Sequence, residues 1–316
     1  MSLRIETDTH AENARQALLE LVSQRQLGQF LDLMNCHKIP CLLLKGSALA
    51  YSLYPEPWLR PRLDNDIWIA PESRESLVQV LTAAGYKKIP SNHGTLVHTQ
   101  MTYYSTDQQG RNHFFDIHWQ ILNPVLFRSL LNFSESWSES LILPQLHSSA
   151  QTLSHRHHLL LCCCHWVGHH FLAPSPQWES DIELLSKDQS TDWWASVTTL
   201  FIERKVACLG LAVLSFCQTS KGIKIPSFVF EQWEKISEES ANYFLQSHRN
   251  RWRDLRHDIS SFPDYRSKIQ LLKEHLFPSA EYISTLTGSN SRAKFFIFYF
   301  IRIFRGFKKL GSVTRP

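Results

Sequence analysis

Nowhere in the 316 residues does an apolar run approach the ~20 residues that a membrane-spanning helix needs. The amino terminus, MSLRIETDTHAENARQ, is without the apolar core of a signal peptide, and no CxxC pair occurs among the seven cysteines. These gaps argue against a membrane-embedded chain, a secreted disulfide framework and a zinc ribbon. Cys162, Cys163 and Cys164 stand together in HHLLLCCCHWVGHH, where reduced thiols packing as small hydrophobes are expected. Internal repeats and low-complexity segments are missing too. Acidic residues are absent from Arg292 onward, where seven Lys/Arg stand; 26 basic and 29 acidic residues precede that point, so the net charge of +4 belongs to the tail. With 43% apolar and 20% charged residues, general disorder is excluded, and a cytoplasmic globular protein is expected.

The patterns that are present divide the chain. From about Ala11 to Cys36 apolar residues (Leu18, Val22, Leu27, Phe30, Met34) recur at helical spacing, and Pro40 ends the pattern. CLLLKG reads as a short buried strand, SALAYSLY as a helix opened by Ser47, and NDIWIA as a second strand. Pro71 opens another helix that Gly85 closes. LVHTQMTYYS and HFFDIHWQIL flank the turn TDQQGRN as a β-hairpin. Beyond about Leu122 long helical periodicity takes over, in LSHRHHLLLCCCHWVGHHFL, SDIELLSK, TDWWASVTTLFIERKVACLGLAVLSFCQ, FVFEQWEKISEESANYFLQS and YRSKIQLLKEHLF. The expected fold is α+β: a small mixed β-sheet core with flanking helices, followed by an all-helical domain. Residues 1–38 read as N-terminal helices, 39–124 as the core, 125–290 as the helical domain and 291–316 as a basic aromatic tail.

Asp64 and Asp66, at i and i+2 on a strand, point to one face. Some 5 Å apart at an effective dielectric near 20, they repel by roughly 3 kcal/mol, so something cationic should offset them. Gly46 and Ser47 at a helix start leave N–H groups suited to phosphate oxygens, with Lys45 just before and Arg60 and Arg62 upstream of the aspartates. A third carboxylate, Asp116, lies on the later hairpin strand. Three carboxylates beside phosphate-binding groups are the parts for Mg²⁺-dependent attack on a nucleotide.

KGS followed by RPRLDNDIWI and later FFDIHW resembles the nucleotidyltransferase superfamily typified by DNA polymerase β. More narrowly it resembles a bacterial family of uncharacterised nucleotidyltransferases whose pattern runs Leu-Lys-Gly, small residues, Arg-Pro, Asp-x-Asp and Asp-x-His-Trp. His165 with His169 or His170, Trp178 with Asp181, and LFPSAEYI stand where that family has similar features. The resemblance implies that Gly46 and Ser47 hold the phosphates of an NTP, with Lys45 and Arg60 as further phosphate contacts. It implies that Asp64 and Asp66 bind two Mg²⁺, with Asp116 either completing the second metal site or accepting the acceptor's proton. An NMP would then move from the NTP to an acceptor: a protein, a peptide, a sugar or another small molecule, with nucleic acid less favoured. Asn65 and Arg62 replace residues that are apolar in that pattern, and Asn65 should need a hydrogen-bond partner or an exposed strand end. They leave a second reading open, a catalytically silent nucleotidyltransferase-like module acting through its helical domain and basic tail.

His165 and His169 are i and i+4 on a helix, but no HExxH frames them, and packing or polar contacts are expected rather than a structural zinc. Asp181 is a candidate to orient one of these histidines. The tail, with a seven-residue apolar run among Arg302, Arg305, Lys308 and Lys309, is too short to span a bilayer. It reads either as a packed last helix or as a peripheral contact with an anionic membrane surface.

Overall fold

The structure, a computed structural model, describes residues 2–90, 94, 96–236, 240–247, 249–288 and 298–299. Helix α1 (Ser2–Cys36) ends where Lys38 turns left-handed at φ 53° ahead of Pro40. Strand β1 (Cys41–Leu44) is buried throughout and runs directly into α2 (Lys45–Ser52). Then come β2 (Asp64–Ile69), a 3₁₀ turn at Pro71–Ser73 with α3 (Arg74–Ala83), the two-residue β3 (Lys87–Lys88), and the hairpin β4 (Gln100–Thr106) and β5 (Asn112–His118). Gly110 closes that hairpin at φ 78°, a conformation open to glycine because it lacks a Cβ.

After a short α4 (Phe133–Ser138), strands β6 (Leu141–Ile142) and β7 (Gln151–Thr152) return to the sheet. Among the described residues the sheet has seven strands in the order β3-β4-β5-β2-β1-β7-β6. It is mixed: β2 runs parallel to β5 and β1 parallel to β7, and the other pairs are antiparallel. The expected α+β class is what is found. The pair at 141–152 lies beyond the expected edge of the core at 124 and is too short to carry a readable alternation.

The rest is helical: α5 (His155–His170), α6 (Pro176–Ser186), α7 (Thr191–Glu203), α8 (Ala207–Lys221), α9 (Ser227–Trp233), α10 (Arg251–Ser261), α11 (Tyr265–Leu276) and α12 (Ala280–Thr287). The run read as one helix from Thr191 breaks in two at Lys205, which is left-handed at φ 56°. Gly210 explains the tight packing beyond the break, since a Cβ there would stand 2.6 Å from the Phe201 ring. No described helix is long and apolar enough to cross a membrane. The tail expectation falls outside the described residues except at Phe298 and Tyr299, and the Tyr299 hydroxyl donates to the Pro278 carbonyl at 2.8 Å.

Strand alternation sends the two faces of the sheet to different cores. Leu43, Ile67, Phe115 and Ile117 pack with Leu27 and Phe30 of α1 and Leu77 and Leu81 of α3. Leu42, Leu44 and Trp68 pack instead with Leu160 and Trp166 of α5 and Ile182 of α6. Each fully buried side chain of this size contributes about 1.5–3 kcal/mol. Asp64 and Asp66 share parity with Trp68, so they lie on the face turned toward α5 and α6.

Candidate active site

The parallel pairing of β2 with β5 sets Asp66 beside Asp116 and Trp68 beside His118. On the other side of β2, Asp66 is opposite Leu44, the last residue before α2. Lys45 is then forced through a left-handed turn at φ 47°, a conformation that costs a non-glycine residue on the order of 1 kcal/mol. That turn returns its Nζ to Asp66 Oδ1 at 2.8 Å, while its backbone N–H donates to Nε2 of the buried His158 at 3.3 Å. The cation required by the crowded carboxylates is therefore in part a residue of the chain.

His118 donates through Nε2 to Asp66 Oδ1 at 2.9 Å, since an ionised carboxylate can only accept. Burial alone would raise the Asp66 pKa; the Lys45 ammonium and the His118 hydrogen bond outweigh it and hold the group well below the usual carboxylate range. Asp64 moves the other way, pushed up by burial and then by repulsion from Asp66 and Asp116. Asp116 is oriented from β4, where Thr102 Oγ1 donates to Oδ1 at 2.6 Å and Gln100 Nε2 to Oδ2 at 3.3 Å.

Ligand atoms of Asp66, Asp116 and His118 fall within 4.8 Å of one another, a spacing that one ion can bridge. Asp64 opens onto the same cleft outside that group, so the compact set differs from the expected three carboxylates by having His118 in it. The two carboxylates are hard oxygen donors of the kind Mg²⁺ takes, and Asp64 adds a third at the cleft mouth. The donor set thus fits a divalent cation.

The cleft encloses about 730 Å³ between β2, β5, α5 and α6. Lys45, Gly46 and Arg60 line it, but Ser47 does not. Ser47 is buried beneath the sheet and donates to Asn65 Oδ1 at 2.7 Å, so its hydroxyl is engaged away from the cleft. Asn65 is itself 4% exposed and donates to the Phe114 carbonyl at 3.1 Å. The polar residue between the aspartates therefore has the partners it was expected to need.

Arg60 is held by both oxygens of Asp181 at 2.7 Å each, and its Nη1 donates to the Pro61 carbonyl at 3.1 Å. Asp181 also accepts from the Tyr54 hydroxyl at 2.8 Å. Contrary to expectation, then, Asp181 of α6 orients Arg60 and Tyr54 rather than a histidine. Arg62 makes a fork to Glu20 of α1 at 2.9 and 2.7 Å, and this neutralises the extra charge noticed beside the aspartates. His165, His169, His170 and Trp178 line the opposite wall.

Sequence reasoning misses Glu20, Gln100, Thr102 and His158, and it places His118 on the face of Asp116 without giving it a ligand role. Thr102 was within reach, because counting back from the TDQQGRN turn places it across from Asp116. His158 and Glu20 come from elements whose packing on the core no local pattern reveals.

Residues 5–220 match the sequence profile of a family described as uncharacterised nucleotidyltransferase. No curated protein matches the chain. Among solved structures it is similar to an antigenic nucleotidyltransferase-like protein from Paracoccidioides brasiliensis, at 12% identity and a TM-score of 0.39, covering 69% of this chain and 95% of that one. It is also similar to JHP933 from Helicobacter pylori, at 12% identity and a TM-score of 0.29, covering 70% and 94%.

Proposed function

Since the chain belongs to the family of uncharacterised nucleotidyltransferases, we propose that it is a Mg²⁺-dependent enzyme of the polymerase β type that transfers an NMP from an NTP to an acceptor. The observation that carries this reading is the junction of Asp66, Asp116 and Lys45 in one cleft at the start of α2. In the transfer, an acceptor oxygen or nitrogen would form a bond to the α-phosphorus. The bond from that phosphorus to the bridging oxygen of the β-phosphate would break, releasing pyrophosphate and the acceptor's proton. Asp64, Asp66 and Asp116 would hold up to two Mg²⁺, which supply charge stabilisation on the attacking and leaving oxygens.

The remaining roles fall to the chain's own groups. The N–H groups of the first turn of α2 that follow Lys45, without intrahelical partners, would donate to phosphate oxygens, with Gly46 admitting them closely. Lys45 would swing its ammonium from Asp66 to the triphosphate as Asp66 takes up its ligand role. Arg60 would face the phosphates from a guanidinium already fixed by Asp181. Asp116, oriented by Thr102, would accept the acceptor's proton. Asn65 and Arg62, the two departures that leave a silent module open, are engaged by Ser47 and Glu20 and take no group from the cleft. Operation in the cytoplasm, with the basic tail resting on anionic membrane, is part of the same proposal.

Thermal shift with each NTP, with and without Mg²⁺, tests it. The wild type should gain stability only when both are present, because ligands that bind the folded state alone stabilise it. Asp66→Asn and Asp116→Asn should lose that gain. A nucleotide shift that ignores Mg²⁺ and survives both substitutions would remove the reading.

A further inference from the structure

The wall facing the carboxylates is built from rings. His165, His169 and His170 come from the last turn and a half of α5, and Trp178 from the first turn of α6. The His170 and Trp178 ring centroids are 4.1 Å apart, those of His165 and His169 are 5.2 Å apart, and His165 meets Trp178 edge-on at 6.2 Å. No hydrogen bond or ion pair among the described residues engages the ring nitrogens of these three histidines. Burial, then the nearby Lys45 charge, lowers all three pKa values, that of His169 to about 4, so the imidazoles are neutral at pH 7. Each then offers one donor and one acceptor.

This wall carries no fixed charge. The cations nearest to it are engaged, Lys45 with Asp66 and Arg60 with Asp181. The wall itself offers no charge to attract a phosphate or an ammonium group. A flat, uncharged heterocycle with hydrogen-bonding edges fits both the rings and the nitrogens. The position is informative too. Trp178 lies one turn of α6, roughly 5 Å, from Asp181, and Asp181 holds Arg60, whose Nη1 would be 3.7 Å from a Cβ at Gly46.

We propose that Trp178, with His165, His169 and His170, forms the nucleobase subsite of the cleft, the base lying on the Trp178 and His170 rings while imidazole nitrogens bond its edge. This rests on the nucleotidyltransferase reading, and the experiment separates the two. Calorimetric binding of ATP and of inorganic tripolyphosphate, both with Mg²⁺, is compared for the wild type, Trp178→Ala, Trp178→Phe and His170→Ala.

The wild type should bind ATP more tightly than tripolyphosphate. Trp178→Ala should weaken ATP roughly tenfold or more, the usual worth of base stacking on an aromatic ring, with tripolyphosphate unchanged. Trp178→Phe should keep most of the ATP affinity, and His170→Ala, at the end of its helix, should lose part of it without touching tripolyphosphate. Tripolyphosphate binding also reports that each variant is folded. If the wild type binds both ligands equally, or the substitutions weaken both alike, the base subsite is overturned while the phosphate site stands. If the wild type binds neither, the nucleotidyltransferase reading falls and the subsite with it.

Discussion

Asn65 joins the two motifs that the sequence sets eighteen residues apart. Its side chain passes under the sheet to Ser47, so the start of α2 and the Asp64/Asp66 strand are tied by a buried hydrogen bond below the cleft they line. Replacing Asn65 with Val should destabilise the fold by about 1–3 kcal/mol, because the Ser47 hydroxyl and the Phe114 carbonyl both lose a buried partner. Adding Ser47→Ala should recover part of that loss, and a urea-denaturation cycle over the four proteins would read a coupling of about 1 kcal/mol. Strict additivity would mean that the two side chains are not linked. At this scale much of the site was legible, since Asp64, Asp66, Asp116, Lys45, Gly46 and Arg60 all line one cleft. The direction of Ser47 was not, because a small residue at a helix start reads the same whether its hydroxyl faces solvent or the core.

Elements fix the site through a few long-range contacts that no periodicity could show. Helix α1 reaches the cleft through Glu20, which accepts both from the Arg62 fork and from the Tyr51 hydroxyl at 2.6 Å. The Arg62 side chain is only 5% exposed, so removing its partner strands a buried charge. Glu20→Gln should cost about 3–5 kcal/mol, and Glu20→Leu with Arg62→Met should restore most of it, because apolar replacement of a buried pair is commonly neutral or better. A double variant as unstable as the single one would show that this contact does more than neutralise Arg62.

Strong periodicity makes the amphipathic helices readable, whereas α10 is harder to see because its stripe is thin: Trp252, Leu255 and Ile259 recur at helical spacing but stand singly among charged and polar residues. A tertiary contact ties it to the segment after β5, where the Val125 N–H donates to Asp258 Oδ1 at 2.9 Å. The α7–α8 break was hidden for the opposite reason, since apolar residues continue on both sides of Lys205.

Across the whole molecule, one of the two cores joins the sheet to helices α5 to α9, and Asp258 of α10 lies outside the cleft, so its titration reports on stability rather than on the site. Burial pushes the Asp258 carboxyl up to about 6, although the Val125 N–H and the Arg128 guanidinium pull it down. In the unfolded chain the group titrates near ~3.9. Between these values the folded chain keeps a proton that the unfolded chain has released. The stability this confers is complete below pH ~4 and is lost as pH rises through about 6. Asp258→Asn keeps an acceptor for Val125 without the charge. It should therefore be more stable than the wild type above pH 6, by at most about 3 kcal/mol, and the difference should vanish below pH 4. A gap that does not vary with pH would exclude Asp258 as its source.

The central claim, that this cleft moves a nucleotidyl group, is tested most directly by following the phosphorus. Each NTP, labelled in turn at the α- and at the γ-phosphate, is incubated with the protein, Mg²⁺ and a cell extract as the source of acceptors. The account predicts that α-label passes to an acceptor while γ-label leaves as pyrophosphate, and that Asp66→Asn and Asp116→Asn abolish both. Transfer of γ-label to the acceptor, or α-label transfer that persists in both variants, would contradict it.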